Sequence, residues 1–373
     1  QAFAVDRGVI VTICTKRLQH RGCGVFVSTN AKASSPGLDL SDILQNQNNT
    51  FAPDAVVSQG AIVTETAVDV VNVDQQTGFN EIQNAVNAAN SGETIEIGSG
   101  TFNENVDVTT ENITIVGQGD ETTINGSIAL DTADLRLSDV RIESEVGDVF
   151  PNPADQNNAI NVAGSNVTVS DVTVDLSVES AEGSEGIAVE VYGDDASATI
   201  TNATIDGTGE MTADGLTAVV GVSADDGAAA TIRDSDIDVA SDGYSFAVVA
   251  RNGATTDVRG NVLSASGGEL NGVGFGVEGD NPEAQTVRFN TFDDIETIEN
   301  KAASGEFDVT GNYWTDLADV EFINTNDGEI TYDPFLTVEP SELNATSLGE
   351  TTNFGHDLVV PADGTPHSVA FPA

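Results

Sequence analysis

The chain has 373 residues, enough for a large core or two domains, and its 61 acidic against 12 basic side chains give a net charge of −49. That charge argues against DNA, RNA and anionic membranes as partners, and the absence of any apolar run of about 18 residues argues against a transmembrane helix. A hydrophobic fraction of 39% and regular strand patterning oppose disorder, which leaves a folded protein for molar salt, where the Debye length is only about 3 Å.

Residues 1–32 differ from everything after them. They hold five of the 12 bases (Arg7, Lys16, Arg17, Arg21, Lys32), one of the 61 acids (Asp6) and both cysteines. Val9–Ile13 is a strand candidate, and no apolar core follows a basic start as in a signal peptide. The segment reads either as a leader or as an assembly arm, basic and strand-forming, that adds to the sheet edge of an acidic neighbour. Cys14 and Cys23 either close a disulfide loop or stay free, and with His20 between them they lack the spacing of a zinc set. Residues 33–60 are a polar linker, so 1–60 form a basic arm and linker ahead of the main body.

Alternation resumes at residue 61, and Phe79, Ile82, Val86 and Ala89 fall on one helical face that Gly92 ends. An amphipathic helix at this place caps the open end of a solenoid. The solenoid itself is announced by repetition. Leu135-Arg-Leu-Ser-Asp-Val-Arg-Ile142, Val167-Thr-Val-Ser-Asp-Val-Thr-Val174, Ala198-Thr-Ile-Thr-Asn-Ala-Thr-Ile205 and Ala230-Thr-Ile-Arg-Asp-Ser-Asp-Ile237 place Leu137, Val169, Ile200 and Ile232 at steps of 32, 31 and 32 residues. Looser copies follow at Val258, Val287 and Val309. Each unit is two alternating strands with one buried face, and only stacked units give those faces a continuous core. The polar residue after the first strand (Asp139, Asp171, Asn202, Asp234, Asn261, Asn290 and Asn312) suits a tight left-handed corner, and stacked corners form a ladder. Variable coil length favours a right-handed parallel β-helix over a hexapeptide solenoid, and a β-sandwich has no reason to repeat its corner residue. The predicted body spans 61–336. Residues 337–373 are a β extension with a hairpin around Asp363-Gly364.

Phe79-Asn-Glu-Ile-Gln-Asn-Ala-Val, Gly92-Glu-Thr-Ile-Glu-Ile-Gly98, Gly100-Thr-Phe-Asn-Glu-Asn-Val106 and Asn112-Ile-Thr-Ile-Val-Gly117 resemble the opening of right-handed parallel β-helices of the pectin-lyase-like superfamily. Gly311-Asn-Tyr-Trp-Thr-Asp316 and Ile330-Thr-Tyr-Asp-Pro-Phe-Leu336 resemble the closing coils of its NosD-like members. These stretches look especially like secreted and cell-surface members in haloarchaea, and the acid-rich composition with only three lysines (Lys16, Lys32, Lys301) resembles that of proteins from extreme halophiles. The resemblance covers 62–336 and implies a fold, not an activity. The Asp-Phe-Ile-Phe-Gly of methylesterases, the Asp-Pro-His-Asp of mannuronan epimerases and the Gly-His-Gly of polygalacturonases are absent.

Lyase chemistry needs an arginine among carboxylates. Arg233, Arg259 and Arg288 follow Ile232, Val258 and Val287, so alternation points all three outward near Asp234, Asp236, Asp238, Asp257 and Asp293. They are either a groove that binds or cleaves a glycan, with a weak case for Ca²⁺, or charge pairs between coils. Asn326-Asp-Gly-Glu329 is a weak calcium candidate and otherwise a turn; no metal or cofactor is expected. Sequons at Asn48, Asn112, Asn125, Asn166 and Asn344 are glycosylation candidates, with Asn202 a sixth on the ladder. The reading is a self-assembling structural or adhesive protein outside an extreme halophile: a cell-surface component, filament subunit or virion spike, associating through the arm and the helix ends. The alternative is a lyase-like enzyme or passive glycan-binding module.

Overall fold

The computed structural model describes residues 69–336 apart from 147–157, 181–183, 212–216, 268–271, 280–283, 303, 316–319, 325–326 and 334. Of the flanking segments it describes short strands alone: Ala2–Val5, Val9–Thr12, Val56–Gln59, Ile62–Glu65, Thr337–Val338, Asp357–Val359 and Pro366–Ser368. Val9–Thr12 pairs antiparallel with Ala2–Val5, and Asp357–Val359 with Pro366–Ser368, the hairpin expected around Asp363-Gly364. Cys14, Cys23, Asn48 and Asn344 lie outside the described residues.

The body is a right-handed parallel β-helix whose coils have three faces. Face A carries the first strand of each repeat, as in Thr94–Ile97, Ser197–Thr201, Ala229–Arg233, Thr255–Arg259 and Thr286–Arg288. Face B follows the corner, as in Thr204–Met211, Asp236–Ser241, Val262–Gly267 and Thr291–Ile295. Face C closes the coil with nine strands, from Val106–Val108 through Glu185–Tyr192, Ala218–Asp225, Tyr244–Arg251 and Gly272–Glu278 to Glu321–Asn324. Strands of successive coils pair in parallel, and the right hand is the one crossovers between parallel strands take.

The repeat sets the core. Ile95, Ile115, Leu137, Val169, Ile200, Ile232, Val258 and Val287 lie in register down face A. None is more than 1% exposed. Each such side chain contributes about 1.5–3 kcal/mol by leaving water, and no single coil could bury it.

Face C departs from the expected alternation. Ile187, Val220, Phe246 and Val273 stack in register and face away from the main core, yet all are buried. With Val249 they form a second apolar cluster, against which Tyr244 packs, and the Lys301 Nζ sits 5.7 Å from the Phe246 ring centre. Parallel strands buried on both sides read as near-continuous apolar runs, which is what Val219 to Ala224 shows.

The helix is shorter than its apolar pattern. It spans Ile82–Ala88, with Ile82, Ala85 and Val86 buried. Phe79 belongs to a strand, Thr77–Phe79, paired antiparallel with Val70–Asn72, and Ala89 is already extended. The Glu104 carboxylate accepts the backbone N–H groups of Ile82 (2.8 Å) and Gln83 (3.0 Å), holding the helix start against the first coils.

Candidate functional site

The corner between faces A and B organises the outer surface. Asp139, Asp171, Asn202 and Asp234 occupy it with φ of 50–55°, the left-handed conformation short polar residues tolerate. Asn261, Asn290 and Asn312 do not share that place. In their coils Gly260, Phe289 and Gly311 take the corner at φ 75°, 63° and 73°, and each Asn follows one residue later, pointing inward. The corner set read from the sequence is therefore two columns, an exposed one and a buried one.

The buried column is a hydrogen-bonded ladder. Asn261, Asn290 and Asn312 are at most 1% exposed. The Oδ1 of Asn290 accepts the backbone N–H of Asn261 at 3.0 Å, and that of Asn312 accepts the N–H of Asn290 at 2.9 Å. Each Nδ2 donates to a carbonyl one coil below: Ile232, Val258 and Val287, at 3.0, 2.9 and 2.8 Å. Ser235 fills the same place one coil earlier, its Oγ accepting the N–H of Ala203.

A further polar column was not singled out in the sequence. At the turn from face C to face A, Asn112, Asp134 and Asn166 sit at φ 58°, 61° and 56°. The signal in the sequence is an Asn or Asp directly ahead of the inward Ile113, Leu135 or Val167 that opens face A. Asn166 donates to Asp134 at 2.6 Å, Asn125 donates to Asn103 at 2.7 Å, and Asn202 donates to Asp171, so these three sequon amides are engaged in the fold.

The three outward arginines are brought together. Arg233, Arg259 and Arg288 occupy one register position on adjacent strands, and their side chains are 40%, 42% and 48% exposed. Asp257 pairs with both Arg233 and Arg259 at 2.6 Å, and Asp308 pairs with Arg288 at 2.6 Å. Asp236, Asp238 and Asp293 lie round the corner on face B, and Asp234 stands on the corner itself.

Face B carries an acidic column. Glu143, Asp175, Asp206 and Asp238 are in register on consecutive coils, followed by Ser264 and Asp293. Arg141 pairs with Asp175 at 2.7 Å and Glu143 at 3.2 Å. Burial, then the Asp206 charge among others, pushes the carboxyls of Asp236 and Asp238 above their ordinary range; Asp175 is raised by burial against the pull of Arg141. On face C, Arg251 pairs with Glu185 and Glu278, and Lys301 with Glu278 and Glu299. This network braces the second apolar cluster.

A cleft of about 660 Å³ lies near the first coils, lined by Asp69, Glu81, Phe102 and Glu104 among others, with Glu104 committed to the helix. Among the described residues no group of three or more His, Cys, Asp or Glu is disposed to hold a metal ion, and Asp327-Gly-Glu329 falls in the strand Asp327–Thr331. No described helix is long and apolar enough to cross a membrane.

By its own strand pairing the chain is a parallel β-helix. No family model and no curated protein matches the sequence. Among solved structures it is similar to pectin methylesterase from carrot (15% identity, TM-score 0.36, covering 71% of this chain and 86% of that one). It is also similar to pectin methylesterase PemA from Erwinia chrysanthemi (13%, 0.28, 68% and 90%). A third is the tailspike gp49 of Acinetobacter baumannii bacteriophage Fri1, a capsular polysaccharide depolymerase (10%, 0.21, 64% and 57%). At these identities the likeness concerns the backbone path and carries no activity.

Proposed function

We propose that the protein is an extracellular structural and adhesive rod, built for molar salt and associating with further copies of itself. The observation that carries this reading is the carboxylate column Glu143, Asp175, Asp206 and Asp238 on consecutive coils. Neighbouring parallel strands lie about 4.8 Å apart. Like charges at that spacing repel strongly in dilute buffer, and are screened where the Debye length falls to about 3 Å. A stack in close register is a stiff support for such a surface. Its strand-bearing ends, together with the arm of opposite charge at residues 1–32, supply edges for head-to-tail pairing. A cell-surface component, a filament subunit and a virion spike all fit this reading.

The test is the mass and shape of the purified protein by light scattering and electron microscopy, in molar and in dilute salt. Filaments, rings or sheets in molar salt, with loss of folding on dilution, are expected. A monomer of 38.5 kDa that is equally well folded in both conditions would overturn the proposal.

A second reading, contact with a glycan along the corner, is favoured by the stacked Arg233, Arg259 and Arg288. Each of these guanidinium groups is already engaged by Asp257 or Asp308, so passive binding suits the column better than proton abstraction from a sugar.

A further inference from the structure

The corner column contains one residue that does not belong there on conformational grounds. Asp139, Asp171, Asn202, Asp234, Gly260 and Gly311 are residue types that accept positive φ; Phe289 is not, and it sits at φ 63°. Burial does not account for it, because Phe289 is 54% exposed. Its N–H donates to the Gly311 carbonyl at 3.0 Å, a backbone contact any residue could make. The coils on either side place glycine at the same corner, and the space beside Gly311 is open. Neither neighbouring corner residue therefore has a side chain of its own beside the ring, although on the Gly260 side the Asp234 carboxylate stands 2.8 Å from where a Cβ would be. A bulky residue kept in a rare conformation, exposed and flanked by glycines, is the pattern of a functional contact.

What lies beside it defines the ligand. Arg288 precedes Phe289 directly, and Arg259 and Arg233 follow at one-coil steps of about 4.8 Å, so the edge runs for roughly 10 Å. Each guanidinium is paired with Asp257 or Asp308, which leaves remaining N–H donors and carboxylate lone pairs along a nearly neutralised strip. We propose that Phe289 with Arg288, Arg259 and Arg233 forms a binding edge for a neutral polysaccharide. The apolar C–H face of a pyranose stacks on the ring, and the hydroxyls of the adjoining sugars bond to the Arg–Asp pairs. Asp257 and Asp308 already engage the three guanidinium groups and would repel a polyanionic chain at contact distance, so a polyanion is the wrong partner. This inference rests on the glycan reading above and adds to it the ligand class and the stacking residue.

The test is co-sedimentation of the full chain with insoluble neutral glucan, mannan and xylan in molar salt, with an alginate gel as the anionic control. Wild type is expected to bind at least one neutral polymer and not alginate. Phe289→Asn relieves the backbone, so its melting temperature is expected to rise while binding falls at least tenfold. Arg259→Gln lowers binding as well, and Arg136→Gln on the same face leaves it unchanged. Wild type that binds no polymer overturns the glycan reading and this inference with it. Wild type that binds while Phe289→Asn binds equally well overturns the inference alone. Binding confined to alginate overturns the neutral class. A Phe289→Asn change in scattering mass with binding intact assigns the ring to a protein contact and also overturns the proposal.

Discussion

Replacing Asn290 by Val tests whether the buried ladder holds the coils together. The substitution keeps a side chain of similar size at a site where Val140 and Val172 occur in earlier coils, so packing alone predicts little change. Hydrogen bonding predicts otherwise. Val cannot accept the Asn261 N–H or donate to the Val258 carbonyl, and both are held by Asn290. Two buried groups orphaned at about 1–3 kcal/mol each give a loss of roughly 2–6 kcal/mol. The added apolar surface returns about 1 kcal/mol, so a net loss of about 3 kcal/mol is expected. Asn290→Ser is the control, since Ser235 already occupies the equivalent place and its Oγ accepts a backbone N–H; it should cost about 1 kcal/mol. Urea unfolding in molar salt gives the stability difference. Amide exchange at Asn261 gives the local effect, which matters because solenoids unfold in segments. If Asn290→Val lies within about 0.5 kcal/mol of wild type, or if Ser costs as much as Val, the ladder is not a stabilising device.

The acidic column makes a pH and salt prediction. Because Asp238, Asp236 and Asp175 titrate above their ordinary range when folded, the stability they contribute is full below the unfolded carboxylate range and is lost as pH rises through the folded values. At neutral pH Asp238→Asn should therefore raise stability, by under about 1 kcal/mol in dilute salt and by less in molar salt; a decrease in a denaturant titration would contradict the reasoning. Glu104→Ala removes the acceptor for Ile82 and Gln83, and should cost about 1–2 kcal/mol with faster amide exchange across 82–88. Gly164→Ala drives a Cβ to 1.9 Å from the Thr132 carbonyl oxygen, a backbone clash, and should abolish soluble expression or sharply lower the melting temperature. Deleting residues 1–32 should abolish association seen by light scattering, and polymers that survive the deletion would rule out the arm as the joint.

The architecture was legible in the sequence because a solenoid repeats its instructions. Leu137, Val169, Ile200 and Ile232 recur at nearly constant steps, and since each inward residue stacks on its equivalent one coil away, period and register carry the same information. The outward Arg233, Arg259 and Arg288 could be placed together for the same reason. What tertiary structure decided are matters of one residue or of the second side of a sheet. Whether an Asn stands on the corner or just inside it depends on which residue takes positive φ, and at Gly260, Phe289 and Gly311 that choice moved the Asn ladder into the core. Phe289 reads in the sequence as an ordinary apolar residue. Only its dihedral angle and exposure show that it departs from what the backbone prefers. The outward apolar column of face C was hidden because runs such as Val219-Val-Gly-Val222 do not say how many of their sides are covered; that follows from what packs against the sheet, which local pattern does not encode.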